Sequence, residues 1–95
     1  MAKLTTIEKQ ILEKLFQMSN GYVLNFSNTT MKEFFRDDVG IDIYQRKYNY
    51  GSGSKANRIR GLWINSDEKT VGNSILKLID YIESQILIGE LNPTE

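Results

Sequence analysis

The sequence predicts a mainly α fold: a small bundle of four helices with a long irregular connector and at most one short strand pair. Three observations predict it. Apolar residues recur at three- and four-residue spacing along most of the chain instead of alternating. Each such run follows a Ser, Thr or Asn suited to capping a helix start. The 95 residues, 40% apolar and 11% aromatic, supply one modest core and therefore one domain.

The first helix is expected over residues 5–19. Thr5 with Glu8 fits a capping box, which satisfies free backbone donors at a helix start. Ile7, Ile11, Leu12, Leu15, Phe16 and Met18 follow at helical spacing, and Gly21 suits a left-handed C-cap. "YVLNF", residues 22–26, reads equally as a strand without a partner or as an extended connector burying Tyr22, Leu24 or Phe26. Ser27 or Asn28 caps a second helix over about 28–38, with Met31, Phe34 and Phe35 as its stripe and Gly40 just past its end. "IDIYQRKYNYGSGS" is the longest irregular segment, and Ile41 and Ile43 alternate with Asp42 as a short extended piece would. Ser54 marks the N-cap of a third helix over about 55–64, with Ala56, Ile59, Leu62 and Trp63 on one face. Ser66 is the expected cap of the fourth, where Asp67 and Glu68 suit the positive end of the helix dipole. Val71, Ile75, Leu78, Ile79, Ile82 and Ile86 form the longest stripe and predict the central helix of the core. Residues 1–88 are thus expected to form a single helical domain, and 89–95 a polar tail or interdomain linker.

Composition narrows the function classes. Twelve basic residues balance twelve acidic ones, which argues against a globally electrostatic binder of nucleic acid or membrane but not against a local patch. With neither cysteine nor histidine, the chain has no disulfide, no Cys/His metal site and no histidine-based triad. Asp37 and Asp38 are adjacent, and helical neighbours point apart, so they make a poor catalytic pair or metal site. The expectation is a cytoplasmic protein without enzymatic activity, cofactor, metal or small-molecule substrate. No apolar run approaches the roughly 20 residues that span a membrane, and the charged N-terminus lacks the apolar core of a signal peptide.

The strongest asymmetry lies between Tyr44 and Trp63. Arg46, Lys47, Lys55, Arg58 and Arg60 fall there with no acid among them, interleaved with Tyr44, Tyr48 and Tyr50. "GSGSKA" is not a phosphate loop: the glycine directly before the lysine and the hydroxyl directly after it are both missing. A weaker anion-binding reading remains, since backbone N–H groups at a helix start attract anions, and Lys55 in the first turn opposes the dipole unless something relieves it. The plainer reading is that Ser54 caps, the glycines turn the chain and Lys55 extends into water. Arg58 and Arg60 flank the apolar stripe on opposite sides, which weakens a recognition-helix reading. They could pair with the opposing acidic cluster of Asp37, Asp38 and Asp42, within one molecule or between copies. Tyrosines in such a segment can stack on bases, but Tyr44 and Tyr48, four residues apart, more simply pack the loop onto the bundle.

From "GYVLNFS" through "FF", "GIDI" and "SKANRIR" to the last apolar helix, residues 21–82 resemble an N-terminal segment of bacterial proteins of phage defence, including abortive-infection families. The resemblance implies an accessory helical module ahead of a separate effector; in size and helix content the chain is also similar to death-like adaptor domains, by analogy alone. The leading expectation is therefore a non-enzymatic interaction module, an adaptor or self-associating unit. Its candidate contacts for a partner or an anion are Arg46, Lys47, Tyr48, Tyr50, Ser54, Lys55, Arg58 and Arg60. Reversing the charge of Arg58 and Arg60 is expected to weaken association and spare the fold. The alternative is a nucleic-acid-binding module using the basic 46–60 segment, whose affinity would fall steeply with salt.

Overall fold

Local chemistry sets the helix starts. The computed structural model describes residues 4–18 and 21–89. Thr5 Oγ1 accepts from the Glu8 N–H and Glu8 returns the bond to the Thr5 N–H, the reciprocal capping box that starts α1, Thr6–Leu15. Ser27 caps α2, Asn28–Phe34, with Thr30 in the reciprocal role. Ser54 Oγ accepts from the Asn57 N–H at the head of α3, Lys55–Asn65. Asp67 caps α4, Glu68–Leu87, by accepting from the Thr70 N–H at 2.7 Å. These are four α-helices, and the described residues contain no strand, so "YVLNF" is a turn-rich connector.

Four expectations are corrected, and the connector buries Phe26 as one of its readings had it. The first helix ends at Leu15, because Gln17 turns left-handed (φ 53°) and its N–H bonds back to the Lys14 carbonyl. Gly21 is left-handed (φ 82°), but it stands beyond that end, and residues 19 and 20 lie outside the described residues. In the connector Val23 and Phe26 are buried and Leu24 half-buried, whereas Tyr22 is 61% exposed. The second helix changes pitch after Phe34: Phe35–Val39 form a π turn, closed by the Gly40 N–H to the Phe35 carbonyl at 2.7 Å with Gly40 left-handed. The fourth helix is capped by Asp67 and not by Ser66, whose buried hydroxyl instead donates to the Tyr48 hydroxyl at 3.3 Å. The expected tail, apart from Gly89, lies outside the described residues.

Every element gives the core a buried side chain except the body of α1, which packs on it through the half-buried Leu12 and Leu15. Phe16 and Met18, past the end of α1, are buried, while no residue within Thr6–Leu15 is. α3 buries Ala56, Ile59, Leu62 and Trp63 as its spacing predicts. α4 buries Val71, Leu78 and Ile82 along its stripe and adds Ser74, whose hydroxyl bonds back to the Val71 carbonyl. Phe26, Phe34, Phe35 and Tyr81 form an aromatic cluster; the Phe26 and Tyr81 rings stack at 4.4 Å between centroids. The π turn packs on α4, and a short 3-10 turn, Arg46–Tyr48, packs on α3. That second contact is close because Gly61 has no side chain: a Cβ there would meet the Tyr48 carbonyl carbon at 2.7 Å and its oxygen closer still.

Candidate interaction site

The glycine-serine turn before α3 is closed on itself. Gly51 (φ 54°) and Gly53 (φ 76°) supply the left-handed conformations that let it turn tightly. Ser52 Oγ accepts from Asn57 Nδ2 at 3.1 Å while Ser54 Oγ takes the Asn57 N–H. The small side chains thus serve the cap. Lys55 Nζ lies 5.0 Å from the centroid of the Tyr22 ring, so an aromatic face from the connector offsets the cation's conflict with the helix dipole.

The two arginines hold the fold's own elements together. Arg60 Nε donates to Glu13 Oε2 at 2.9 Å and Nη1 to Asn57 Oδ1 at 2.8 Å, tying α1 to α3. Arg58 Nη1 donates to the Gln45 carbonyl at 3.1 Å, and its guanidinium lies 5.2 Å from the centroid of Tyr44. Arg58 Nε is buried without a protein partner. Tyr44 in turn donates its hydroxyl to Asn28 Oδ1; burial raises its phenol above the usual value, and the Arg58 charge opposes that rise. The segment from 44 to 60 is therefore a set of clasps joining α1, α2 and α3.

Other predicted residues divide between packing and exposure. Tyr48 is buried, with Lys47 Nζ 5.2 Å from its ring centroid and the Lys47 carbonyl accepting from Asn65 Nδ2. Arg46 and Tyr50 are exposed and make no side-chain hydrogen bond or ion pair among the described residues. The acids 37, 38 and 42 meet none of the candidate cations. Asp37 is paired with its neighbour Arg36 at 2.8 Å, and the Arg36 hydrogen bond holds its carboxyl below the usual range. Asp42 accepts from the Tyr44 N–H at 3.0 Å, and Asp38 is exposed. Among the described residues no three His, Cys, Asp or Glu side chains are grouped to hold a metal ion, and no helix is long and apolar enough to cross a membrane.

Sequence reasoning missed the exposed apolar surface. Ile7 and Ile11 were read as one stripe with Leu12, Leu15 and Phe16, but they stand on successive turns of α1 at 69% and 61% exposure. The signal was present in the excess: six apolar residues between 7 and 18 wrap wider than one inward face needs. Comparison with protein-family models, curated proteins and solved structures finds no match for the chain.

Proposed function

We propose that the chain is a non-enzymatic interaction module that works by self-association or by recruiting a protein partner. One observation carries the reading: α1 gives its own core only the half-buried Leu12 and Leu15, yet presents Ile7 and Ile11 side by side to solvent. Burying them in an assembly would contribute roughly 1–2 kcal/mol each. A place in a larger bacterial defence protein, in the cytoplasm, extends this reading and rests on the resemblance of residues 21–82.

Sedimentation velocity of the full chain across a concentration series, with a photo-crosslinking residue at position 11 in cells, tests it. The wild type is expected to associate or to crosslink to a protein, and Ile7→Glu/Ile11→Glu to lose this with its helical circular dichroism unchanged. A monomer at every concentration that crosslinks to no protein would falsify association through the Ile7–Ile11 surface.

Exposed Arg46, Lys47 and Tyr50 favour the nucleic-acid alternative. Titration with DNA and RNA at low and high salt separates the two: phosphate contacts give an affinity that falls steeply with salt. No binding at low salt removes the alternative.

A further inference from the structure

α4 holds a glycine that its own fold does not require. Gly61 in α3 is demanded by the Tyr48 carbonyl pressed against it. Gly72, early in α4, is exposed, and a Cβ added there would meet nothing within 4 Å. Inside a helix it forfeits about 1 kcal/mol relative to alanine, and no contact in the molecule offsets that. What it leaves is a flat on the helix surface, one turn from Lys69 on one side and Leu76 on the other.

Gly72 itself lines no cavity, but its neighbours Lys69 and Leu76 form one wall of an open groove of about 540 Å³, with Val39, Gly40 and Ile41 on the other. Leu76 is 64% exposed, so the groove has an unpartnered aliphatic wall. Across Gly40 and Ile41 a second hollow of about 290 Å³ continues to Lys32 and Arg36. Gly40 is left-handed with open space where a Cβ would stand, so the ridge between the hollows is bare main chain at Gly40 and carries the Ile41 side chain beside it. The lining carries three cations and one acid. Lys69 and Lys32, at the two ends, form no ion pair among the described residues, Arg36 is bridged to Asp37, and the single lining acid, Asp42, already accepts from the Tyr44 N–H. The Asn73 side chain, also on the groove, has no hydrogen-bond partner among the described residues and can meet a peptide main chain.

We propose that this groove docks a short segment of a protein partner that carries one or two aliphatic side chains beside carboxylates. The aliphatic group would sit against Leu76 and Ile41, the main chain would pass over the flats at Gly72 and Gly40, and the carboxylates would reach Lys69 and Lys32. The proposal rests on the reading of the chain as an interaction module, but not on the Ile7–Ile11 surface.

The test pans a library of short random peptides against the immobilised full chain and titrates a selected peptide against variants. The expected consensus pairs Leu, Ile, Val or Met with Asp or Glu. Leu76→Asp is expected to weaken the peptide about tenfold, as loss of an apolar anchor does. Lys69→Glu should chiefly reduce the salt dependence of binding. Gly72→Gln should raise the melting temperature while weakening the peptide, and Ile7→Glu/Ile11→Glu should leave its affinity unchanged. No enrichment, a basic consensus, or an affinity that Leu76→Asp leaves unmoved overturns the groove. In the last case the interaction-module reading survives with a different surface; a groove that binds while α1 crosslinks to nothing separates the opposite failure. Binding to phosphatidylserine vesicles abolished by Lys69→Glu, with no peptide selected, also overturns it.

Discussion

A methyl group at position 61 would stand 2.7 Å from the carbonyl carbon of Tyr48. Backbone gives way poorly, so Gly61→Ala is expected to destabilise by about 2–3 kcal/mol, as overpacking of a tight contact does. Gly72→Ala meets open space and is expected to stabilise by about 1 kcal/mol through helix propensity alone. Urea denaturation decides both: the midpoint should move in opposite directions with the slope unchanged, and equal shifts would refute the contrast. The same scale revises what mutating the basic residues means. Arg60 bonds Glu13 and Arg58 bonds the Gln45 carbonyl, so reversing both charges strains the fold before it reports on any partner. Arg46, exposed and unpaired among the described residues, is the cleaner probe of an external contact.

Helix starts were the most legible elements. Thr5, Ser27 and Ser54 cap as their spacing indicates, since a capping hydroxyl acts on a backbone group three residues away. The start of α4 was misread for a tertiary reason: Ser66 and Asp67 are both able caps, and Tyr48, 18 residues upstream, claims the serine. The stripes of α3 and α4 were legible because each has one inward face. α1 was not, since its apolar residues face two ways, and the Arg60–Glu13 pair joins residues 47 apart in the chain with no local signal. The π turn was invisible as well: "FFRDDVG" has ordinary helical spacing, and no local signal marks the change of pitch. The cap of α4 also makes a pH prediction. The Thr70 side chain, then its N–H, holds the Asp67 carboxyl below its usual value. A group depressed in the folded state contributes stability above its unfolded pKa, near 3.9, and loses it as pH falls through the folded value. Asp67→Asn keeps an acceptor but does not titrate. The wild-type melting temperature is therefore expected to fall faster than the variant's between about pH 5 and pH 2; parallel curves would contradict the assignment.

At the scale of the molecule, the Cα radius of gyration of 12.5 Å matches the roughly 12.4 Å that the size law gives for this length. Stability is not evenly spread within that volume. The irregular 41–54 connector is fastened by the Asn65–Lys47 bond, the Arg58–Gln45 bond and the buried Tyr48, while α1 is held by Arg60–Glu13, by the half-buried Leu12 and Leu15 and by the buried residues past its end. Local opening should therefore begin at the helix and spare the loop. Limited trypsin digestion followed by mass spectrometry is expected to cut at Lys9 or Lys14 before any site from Arg46 to Arg60, although the latter lie in the less regular segment; an earliest cut within 46–60 would reverse that order. The π turn at Phe35–Val39 bears on how such a protein can change over generations. It spends one more residue on its turn than an α-helix would, and each residue swings a helix by about 100°. Most substitutions at exposed Arg36, Asp37 or Asp38 leave the path of the chain intact, whereas loss of a single codon there would rotate Gly40 and Ile41 away from α4. The geometry beside α4 is inherited through the length of this segment more than through its letters, and a deletion, not a point change, is the lesion that would erase it.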